Sequence, residues 1–566
     1  MRFLIAAALF LISMVGLLLG VAERTIWAPP ANFSEQLEIE SSKSLLLIPN
    51  EVLTKHPGTP TIYSNGAKTA FMASGRESDI LAWIGTTGYS KVQFDDKGKN
   101  LVQLGVEGSE NLDSPIGSDL WRSEVTVEGL ARIKASAQEQ GAVLVASDGV
   151  RPVPTNLRIV WPIPHDLTLS NIALIVGGVF LIAAFVMNFL AYQHLRKSRG
   201  PRRRTPTPPK PPRYKVKRNK ANAPVRGRRS ARRAFIAIPV AASILLTSAG
   251  CSNQQTTTAS PSPSASAVTV APVALVSDQI KKILIEVQQV AADADLTSDK
   301  KVLVSRFTGP ALEQRTAHYL LRTRSTKIAA LPKIVASPVS FSLPAATDTW
   351  PRTLMVVTDE AGDDALPQML VMQQQTPRSQ YLLWYNIRLM PGAKIPEVPA
   401  AETGAIPVED DSLFLKLAPK DIVSGYGDLL NNGAASLSSG LFDIQKDEFY
   451  KQVSESQKSQ VANLTTGRIT FSHSLGEKNV ISLATSTAGA LVAIYMTDTY
   501  KIKPKKRGSA VAVSGQEKIM LGADGSTRGV KSIYGDMLLF YVPALSDTER
   551  IRLLGVSQGL ISVRSL

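Results

Sequence analysis

Three long apolar runs interrupt a chain that elsewhere alternates with the periods of strands and helices. The first, Phe3 to Ala22, is uncharged for twenty residues, with Arg2 before it and Glu23-Arg24 after it. At about 1.5 Å per residue it spans roughly 30 Å, the hydrocarbon thickness of a bilayer. Gly20-Val21-Ala22 has the small residues of a cleavage site. The run is longer than a signal-peptide core, however, so residues 1–23 are expected to be an uncleaved transmembrane signal anchor. The second run, Leu167 to Tyr192, has twenty-six residues without a charge and predicts a transmembrane helix over 167–193. The third, Ala234 to Leu246, is shorter and ends at Cys251. It predicts a membrane segment over 234–251.

Residues 24–166 carry short apolar or alternating runs at Leu45–Ile48, Thr61–Tyr63, Thr69–Ala73, Tyr89–Phe94, Leu101–Gly105, Ser123–Val127, Ala142–Ala146 and Leu157–Trp161. Turn sequences such as Asp95-Asp96-Lys97-Gly98 separate them, and Glu77–Ile84 reads as one short helix. This is the pattern of an all-β sandwich or barrel with about seven or eight strands.

Residues 273–566 read as an α+β region in which helices precede strands twice over. Ile280, Ile283, Leu284, Val287 and Val290 fall on one helical face. A second helix starts at Pro310 and is expected to bury Leu312, Tyr319 and Leu320. Strands follow at Val339–Ser342, Thr353–Thr358, Gln368–Met372 and Tyr381–Leu389. A Pro/Gly/Ala-rich stretch at 391–411 reads as a linker between subdomains 273–390 and 412–566. Beyond it, helices are expected at Pro419–Leu430 and Asp447–Ala462. Strands are expected at Arg468–His473, Asn479–Thr485, Ala490–Thr497, Ser509–Ser514 and Lys531–Tyr541, with a tight hairpin at Ser486–Gly489.

Charge turns this pattern into a topology. Between Arg196 and Arg233 there are 17 basic residues and no Asp or Glu, whereas the whole chain carries +16. Basic residues beside membrane segments stay cytoplasmic, so 194–233 is expected inside and 24–166 and 252–566 outside. Trp27, Trp161 and Tyr192 are then expected as anchors at the membrane interface. Seven prolines keep the basic segment extended, and anionic lipids are its expected partner through Arg196 to Arg233. With only Tyr214 available for stacking, specific nucleic-acid binding is not expected. One cysteine in the chain leaves no internal disulfide, so the domains must rest on ordinary cores.

The succession RGRRSARR at Arg226–Arg233, an apolar run, Thr247-Ser248-Ala249-Gly250-Cys251 and a Ser/Thr/Pro tether over 252–272 resembles a bacterial lipoprotein signal. It departs from that pattern at Ser248, where Leu is usual, and in lying inside the chain. The resemblance implies lipidation at Cys251 and cleavage before it. A short membrane helix ending at that cysteine is the other reading. IWAPPA at Ile26–Ala31, EVLTKHPG at Glu51–Gly58, GSDLW at Gly117–Trp121, VASDG at Val145–Gly149 and LLGVSQGL at Leu553–Leu560 resemble an uncharacterised family of actinobacterial membrane proteins. That resemblance implies an envelope location and no activity. The element order of 273–566 is similar to tandem folds of the nuclear transport factor two type.

Catalytic chemistry is sparse. Gly555-Val556-Ser557-Gln558-Gly559 matches a nucleophile elbow, but only Leu560–Leu566 follow, without the acid and histidine that fold requires. It is read as a turn before a last strand. His56, His165, His194, His318 and His473 are scattered, so no metal site is expected. Glu409-Asp410-Asp411 and Asp359, Glu360, Asp363 and Asp364 sit in loop sequence and read as solvated turns. No phosphate-binding loop and no cofactor motif is present. The expected protein is a membrane protein with two or three transmembrane helices, an extracytoplasmic all-β domain (24–166) and an extracytoplasmic α+β region (273–566). Its expected role is non-enzymatic, in binding or scaffolding at the cell envelope with an envelope-protein or cell-wall partner. The alternative is an enzyme or transport accessory acting on a cell-wall or lipid-linked substrate through a pocket in 273–566.

Overall fold

A computed structural model describes residues 2–28, 30–40, 42–110, 113–135, 140–163, 167–198, 271–359, 366–476 and 479–566. The third apolar run, Cys251, the tether and all but the start of the basic segment lie outside the described residues, as do His165, Glu360, Asp363 and Asp364. In chain order, helix α1 (Arg2–Thr25) precedes β1 (Asn32–Glu38), β2 (Leu45–Ile48), α2 (Asn50–Leu53), β3 (Thr61–Asn65), β4 (Thr69–Arg76) and α3 (Glu77–Ile84). Then come β5 (Tyr89–Phe94), β6 (Leu101–Val106), β7 (Ser123–Glu128), β8 (Ala131–Lys134), β9 (Gly141–Ala146), β10 (Asn156–Pro162) and α4 (Thr168–Ser198). Helices α5 (Ser277–Thr297), α6 (Lys300–Leu303) and α7 (Gly309–Arg324) lead into β11 (Val339–Pro344), β12 (Arg352–Thr358), β13 (Gln368–Gln374) and β14 (Leu382–Arg388). The last stretch holds α8 (Ile422–Asn432), α9 (Glu448–Asn463), β15 (Gly467–Leu475), β16 (Ile481–Ala484), β17 (Ala490–Pro504) and β18 (Val511–Ala512). It closes with α10 (Gly515–Leu521), β19 (Gly525–Ser526), β20 (Val530–Val542) and β21 (Arg552–Ser565).

Helices α1 and α4, both long and apolar enough to cross a membrane, form one of two structural units. They run antiparallel, and glycine lets them touch. A Cβ on Gly177 would stand 2.9 Å from the Leu17 nitrogen, and one on Gly16 would stand 3.2 Å from the Gly177 Cα. Small residues at a helix crossing let the two backbones pack closely in lipid. Phe10 meets Phe185 edge-on at 5.1 Å, and Ser170 donates to the Gly20 carbonyl at 2.8 Å. Arg24 donates from Nε to Ser170 Oγ (2.9 Å) and from its Nη2 to Asn171 Oδ1.

Residues 29–166 and 270–566 form the second unit. Its N-terminal part, the β domain, is a two-sheet sandwich that carries the short helices α2 and α3. A four-stranded sheet ordered β1-β10-β3-β8 faces a six-stranded sheet ordered β6-β5-β2-β9-β4-β7. Strand β2 runs parallel to β5 and antiparallel to β9. Alternate residues of the larger sheet point into two cores. Leu46, Ile48, Met72, Val143 and Val145 pack against the smaller sheet, and Leu45, Leu47, Phe71, Ala73 and Leu144 pack under α3, Trp83 and Trp121. Trp161, expected at a membrane surface, is a core residue. Alternation along β10 turns it inward with Leu157 and Ile159, and its Nε1 donates to the Leu53 carbonyl at 3.0 Å.

In the C-terminal region the segment expected to separate two subdomains is stitched into both. Ala405 exchanges backbone hydrogen bonds with Pro344 and Ala346, and the Ala484 nitrogen donates to Ile406 at 2.9 Å. Strands β11-β12-β13-β14 form one antiparallel sheet, and β15-β17-β20-β21, with β16 on β17, form another. One face of β17 and β20 (Leu491, Ala493, Tyr495, Met537, Leu539) shares a core with α5 and the first sheet. The opposite face (Val492, Ile494, Met496, Leu538, Phe540) packs on α8 and α9. Helix α5 buries the expected face, whereas α7 buries Leu321 and leaves Leu320 42% exposed. The reason is that α7 is wedged between two clusters, Ala311 and Tyr319 on one side and Ala317 and Leu321, with Met520 and Leu560, on the other.

Arginines of the C-terminal region seal it to the β domain. Arg306 donates to both oxygens of Asp119 at 2.6 and 3.0 Å, and the side chains are 2% and 0% exposed. Asp119 Oδ2 also accepts the Tyr381 N–H at 2.7 Å, and Glu286 flanks Arg306. Arg352, stacked 3.8 Å from the Trp350 ring, donates to Asp79 at 2.7 Å, and Arg76 donates to the other oxygen of Asp79. Arg378 caps the C-terminal carbonyls of α3, donating to Trp83 O at 2.8 Å and Ile84 O at 2.9 Å. Gln279, at the start of α5, donates to the carbonyls of Asp119 and Leu120. Removing one partner of a buried pair strands the other, at a cost of about 3–5 kcal/mol. Asp119→Ala is therefore expected to destabilise the protein by that amount in denaturant melts. A loss below about 1 kcal/mol, the range of an exposed pair, would contradict the burial.

Candidate functional site

A polar recess of the C-terminal region lies between α7, β14, β20 and β21. Its volume is about 220 Å³. Phe307, Ala311 and Met537 supply apolar wall, and Gln314 and Asn386 bring amides to it. The buried Oδ1 of Asn386 has no hydrogen-bond partner. The ionisable groups on the wall are Arg315 and Arg388. Arg315 is clamped by both oxygens of Asp295 at 3.1 Å, and burial pulls its pKa down against that partner. Guanidinium groups do not exchange protons near neutral pH. Among the described residues its wall offers amides and guanidiniums, and no carboxylate or imidazole lines it.

The serine of the elbow-like motif lines this recess, but in another role. Gly555–Gly559 lies within β21 and not in a turn. Ser557 Oγ accepts the Arg388 N–H at 3.0 Å and so joins β21 to β14. The glycines permit close approach, since a Cβ on Gly555 would lie 2.6 Å from the Arg388 carbonyl oxygen.

On the other face of the same sheet, three ionisable side chains from three strands meet in the core. His473 of β15 pairs in register with Asp498 of β17, and Asp536 of β20 lies one strand further on. The side chains of His473 and Asp498 are fully buried, as is Asp536. Gln457 of α9 lies 3.3 Å from His473 Nε2 and Asp498 contacts Nδ1, an arrangement satisfied when Gln457 donates and Nδ1 carries the hydrogen. Asp498 Oδ2 and both Asp536 oxygens have no partner at hydrogen-bonding geometry, although Asp498 and Gln558 lie alongside Asp536. Tyr426, Tyr500 and Tyr534 close the surround, and Tyr426 donates to Asp447 at 2.7 Å.

Burial sets the protonation of this group. It raises Asp498 to about 6 and Asp536 well above the usual carboxylate range, where the neighbouring Asp498 pushes it further. It lowers His473 to about 4. Desolvation and the neighbouring Asp498 thus favour the protonated form of Asp536. The cluster is sealed, so it acts as a polar core that reports pH and gives no substrate access.

The remaining candidates stay apart. His56 stacks with Phe33 and Trp161, His318 bonds the Ala329 carbonyl at 2.9 Å, and His194 is exposed on α4. Asp410 is exposed, and its carboxyl is raised by desolvation and by Glu409 and Asp411. Asp359 accepts from Ser340. Trp27 and Tyr192 are 62% and 59% exposed. Among the described residues no group of His, Cys, Asp or Glu is arranged to hold a metal ion.

Residues 272–565 match a family described as a domain of unknown function, DUF8094. The chain belongs to this family. No curated protein and no solved structure matches it. The DUF8094 match runs through 391–411 and takes in both halves, as expected of a region whose halves share one core.

The buried carboxyls give a pH dependence with a definite sign. A carboxyl raised in the folded state stabilises the fold below its unfolded pKa of about 3.9 and loses that contribution as pH rises through its folded value. Asp498 loses its contribution between about pH 4 and 6, where His473, depressed from about 6.5, gains one. These two offset each other. Asp536 has no such counterpart, so stability should fall from about pH 4 upward, by up to about 1.4 kcal/mol per pH unit, until it ionises. Asp536→Asn should flatten that decline in thermal melts between pH 6.5 and 9. An unchanged slope would show that Asp536 is not the group responsible.

Proposed function

We propose that this chain is a cell-envelope membrane protein whose β domain and DUF8094 region form a single extracytoplasmic head for binding or scaffolding. The observation that carries the reading is the arginine seam. Residues 29–166 and 270–566 bury Asp119, Asp79, Arg306 and Arg352 against one another, which supports a placement of both on the same side of a membrane. If α1 and α4 both span, the chain leaves α4 on the opposite side and must cross once more between 199 and 270. We assign that crossing to Ala234–Cys251, whose eighteen residues reach roughly 27 Å as a helix. The basic stretch Arg196–Arg233 is then cytoplasmic, against anionic lipid.

The glycine contacts of α1 with α4 support a retained signal anchor rather than a cleaved peptide. Lipidation and cleavage at Cys251 would leave the head assembled, because the seam does not run through the connecting chain. Binding is favoured over catalysis by the recess at α7, where amides converge and the ionisable groups are arginines.

Two measurements test this. In a Cys251→Ser background, Glu107→Cys and Leu437→Cys should react with an impermeant maleimide on whole cells, and Tyr214→Cys only after lysis. Labelling of Tyr214→Cys on intact cells would overturn the topology. A protease site placed after Lys220 should, once cut in detergent, yield two fragments that co-purify. Their separation under gentle conditions would overturn the single head.

A further inference from the structure

We propose that the outer face of the four-stranded sheet in the β domain binds an acidic glycan. The inner residues of this sheet fill the sandwich core, whereas its outer row faces solvent. Cross-strand register places Gln36 of β1, Arg158 of β10, Tyr63 of β3 and Arg132 of β8 side by side in one line across all four strands. At about 4.8 Å between strands the line is roughly 14 Å long.

Tyr63 stands between the two arginines, and their guanidinium carbons lie 5.4 Å (Arg158) and 5.7 Å (Arg132) from its ring centroid. Because the arginines come from the strands on either side of β3, they occupy opposite faces of the ring. Both are exposed, and among the described residues neither pairs with a carboxylate. Tyr63 thus holds two unneutralised planar cations at fixed separation, each with the donor fork that suits a carboxylate or phosphate. Asn65 and Asn156, in the next row, add amides that suit sugar hydroxyls, with Glu38 beside them at the margin. Lys134, in the row on the other side of Tyr63, extends the positive charge. The groove along this face has a volume of about 560 Å³, and Leu130, 57% exposed, forms its rim.

Repeated anionic groups on a hydroxyl-rich chain complement this row. Single-stranded nucleic acid does so less well, since its binders offer open aromatic faces to the bases, and both faces of Tyr63 are occupied. Uronate carboxylates and phosphodiesters share the chemistry the guanidiniums read. The inference rests on the extracytoplasmic placement proposed above for its biological setting, but its test is made in solution. Failure of placement would appear in the maleimide labelling, and failure of binding in the assay that follows.

The full chain in detergent is immobilised and titrated with polygalacturonate, poly(glycerol phosphate), neutral dextran and dT20. Binding to at least one of the two acidic glycan-type polymers, weakening as salt rises, supports the proposal, and the preferred polymer identifies the anion. Arg132→Glu/Arg158→Glu should weaken that binding at least about tenfold with an unchanged melting temperature. Tyr63→Ala should weaken it severalfold, whereas Tyr63→Phe should match the parent, because the ring acts as a spacer. Equal binding of parent and double variant, dextran bound as well as the acidic polymers, or dT20 bound most tightly of all would each overturn the proposal.

Discussion

Arg306 and Asp119 have to find each other, or neither can be buried. Each sits where water is excluded, and an unpaired charge in such a place costs several kcal/mol. The pair therefore commits the β domain and the DUF8094 region to one arrangement. Arg352 on Asp79 and Arg378 on the end of α3 repeat the same device nearby, each using a guanidinium of the C-terminal region on oxygen atoms of the β domain. A purely apolar contact would be as adhesive but would tolerate sliding. Planar, bidentate pairs fix register as well as affinity.

The wall of β17 and β20 plays the corresponding part inside the DUF8094 region. With apolar side chains on both faces, it has a helical layer on one side and a second sheet on the other. The recess at α7 and the His473 cluster lie on opposite faces of this wall. A polar group placed in such a strand must be partnered or neutral, and burial pushes Asp536 toward its neutral form.

Much of this was legible in the sequence, and the parts that were not share a cause. Strands β2 and β5 and helix α3 run over the expected residues because their apolar periodicity is unbroken. Strands β1 and β8 were missed: in NFSEQLE and ARIK the outward positions are polar and the inward ones few. With them went the row of Gln36, Arg158, Tyr63 and Arg132, which exists only once four strands are aligned. Trp161 resembled a membrane anchor by its position before an apolar run, whereas the alternation of β10 already pointed it inward with Ile159. Gly555–Gly559 looked like a turn because glycine is common there, and in β21 it serves close strand packing instead. The buried ions left the faintest trace. Asp498 in MTDTY and Asp536 in YGDML each break an apolar alternation, which was the one available signal. Nothing local marks Arg306 as the arginine that Asp119 needs.

The distance along the chain between those two residues has a consequence for synthesis. Asp119 leaves the ribosome 187 residues before Arg306. At about 5–20 residues per second, that is an interval of roughly 10–40 s. During it the β domain has its sandwich core but lacks the cover over Trp83, Trp121, Asp79 and Asp119. A newborn chain thus carries a half-finished, acid-studded surface until the DUF8094 region follows, and anything that guards it has that interval in which to act.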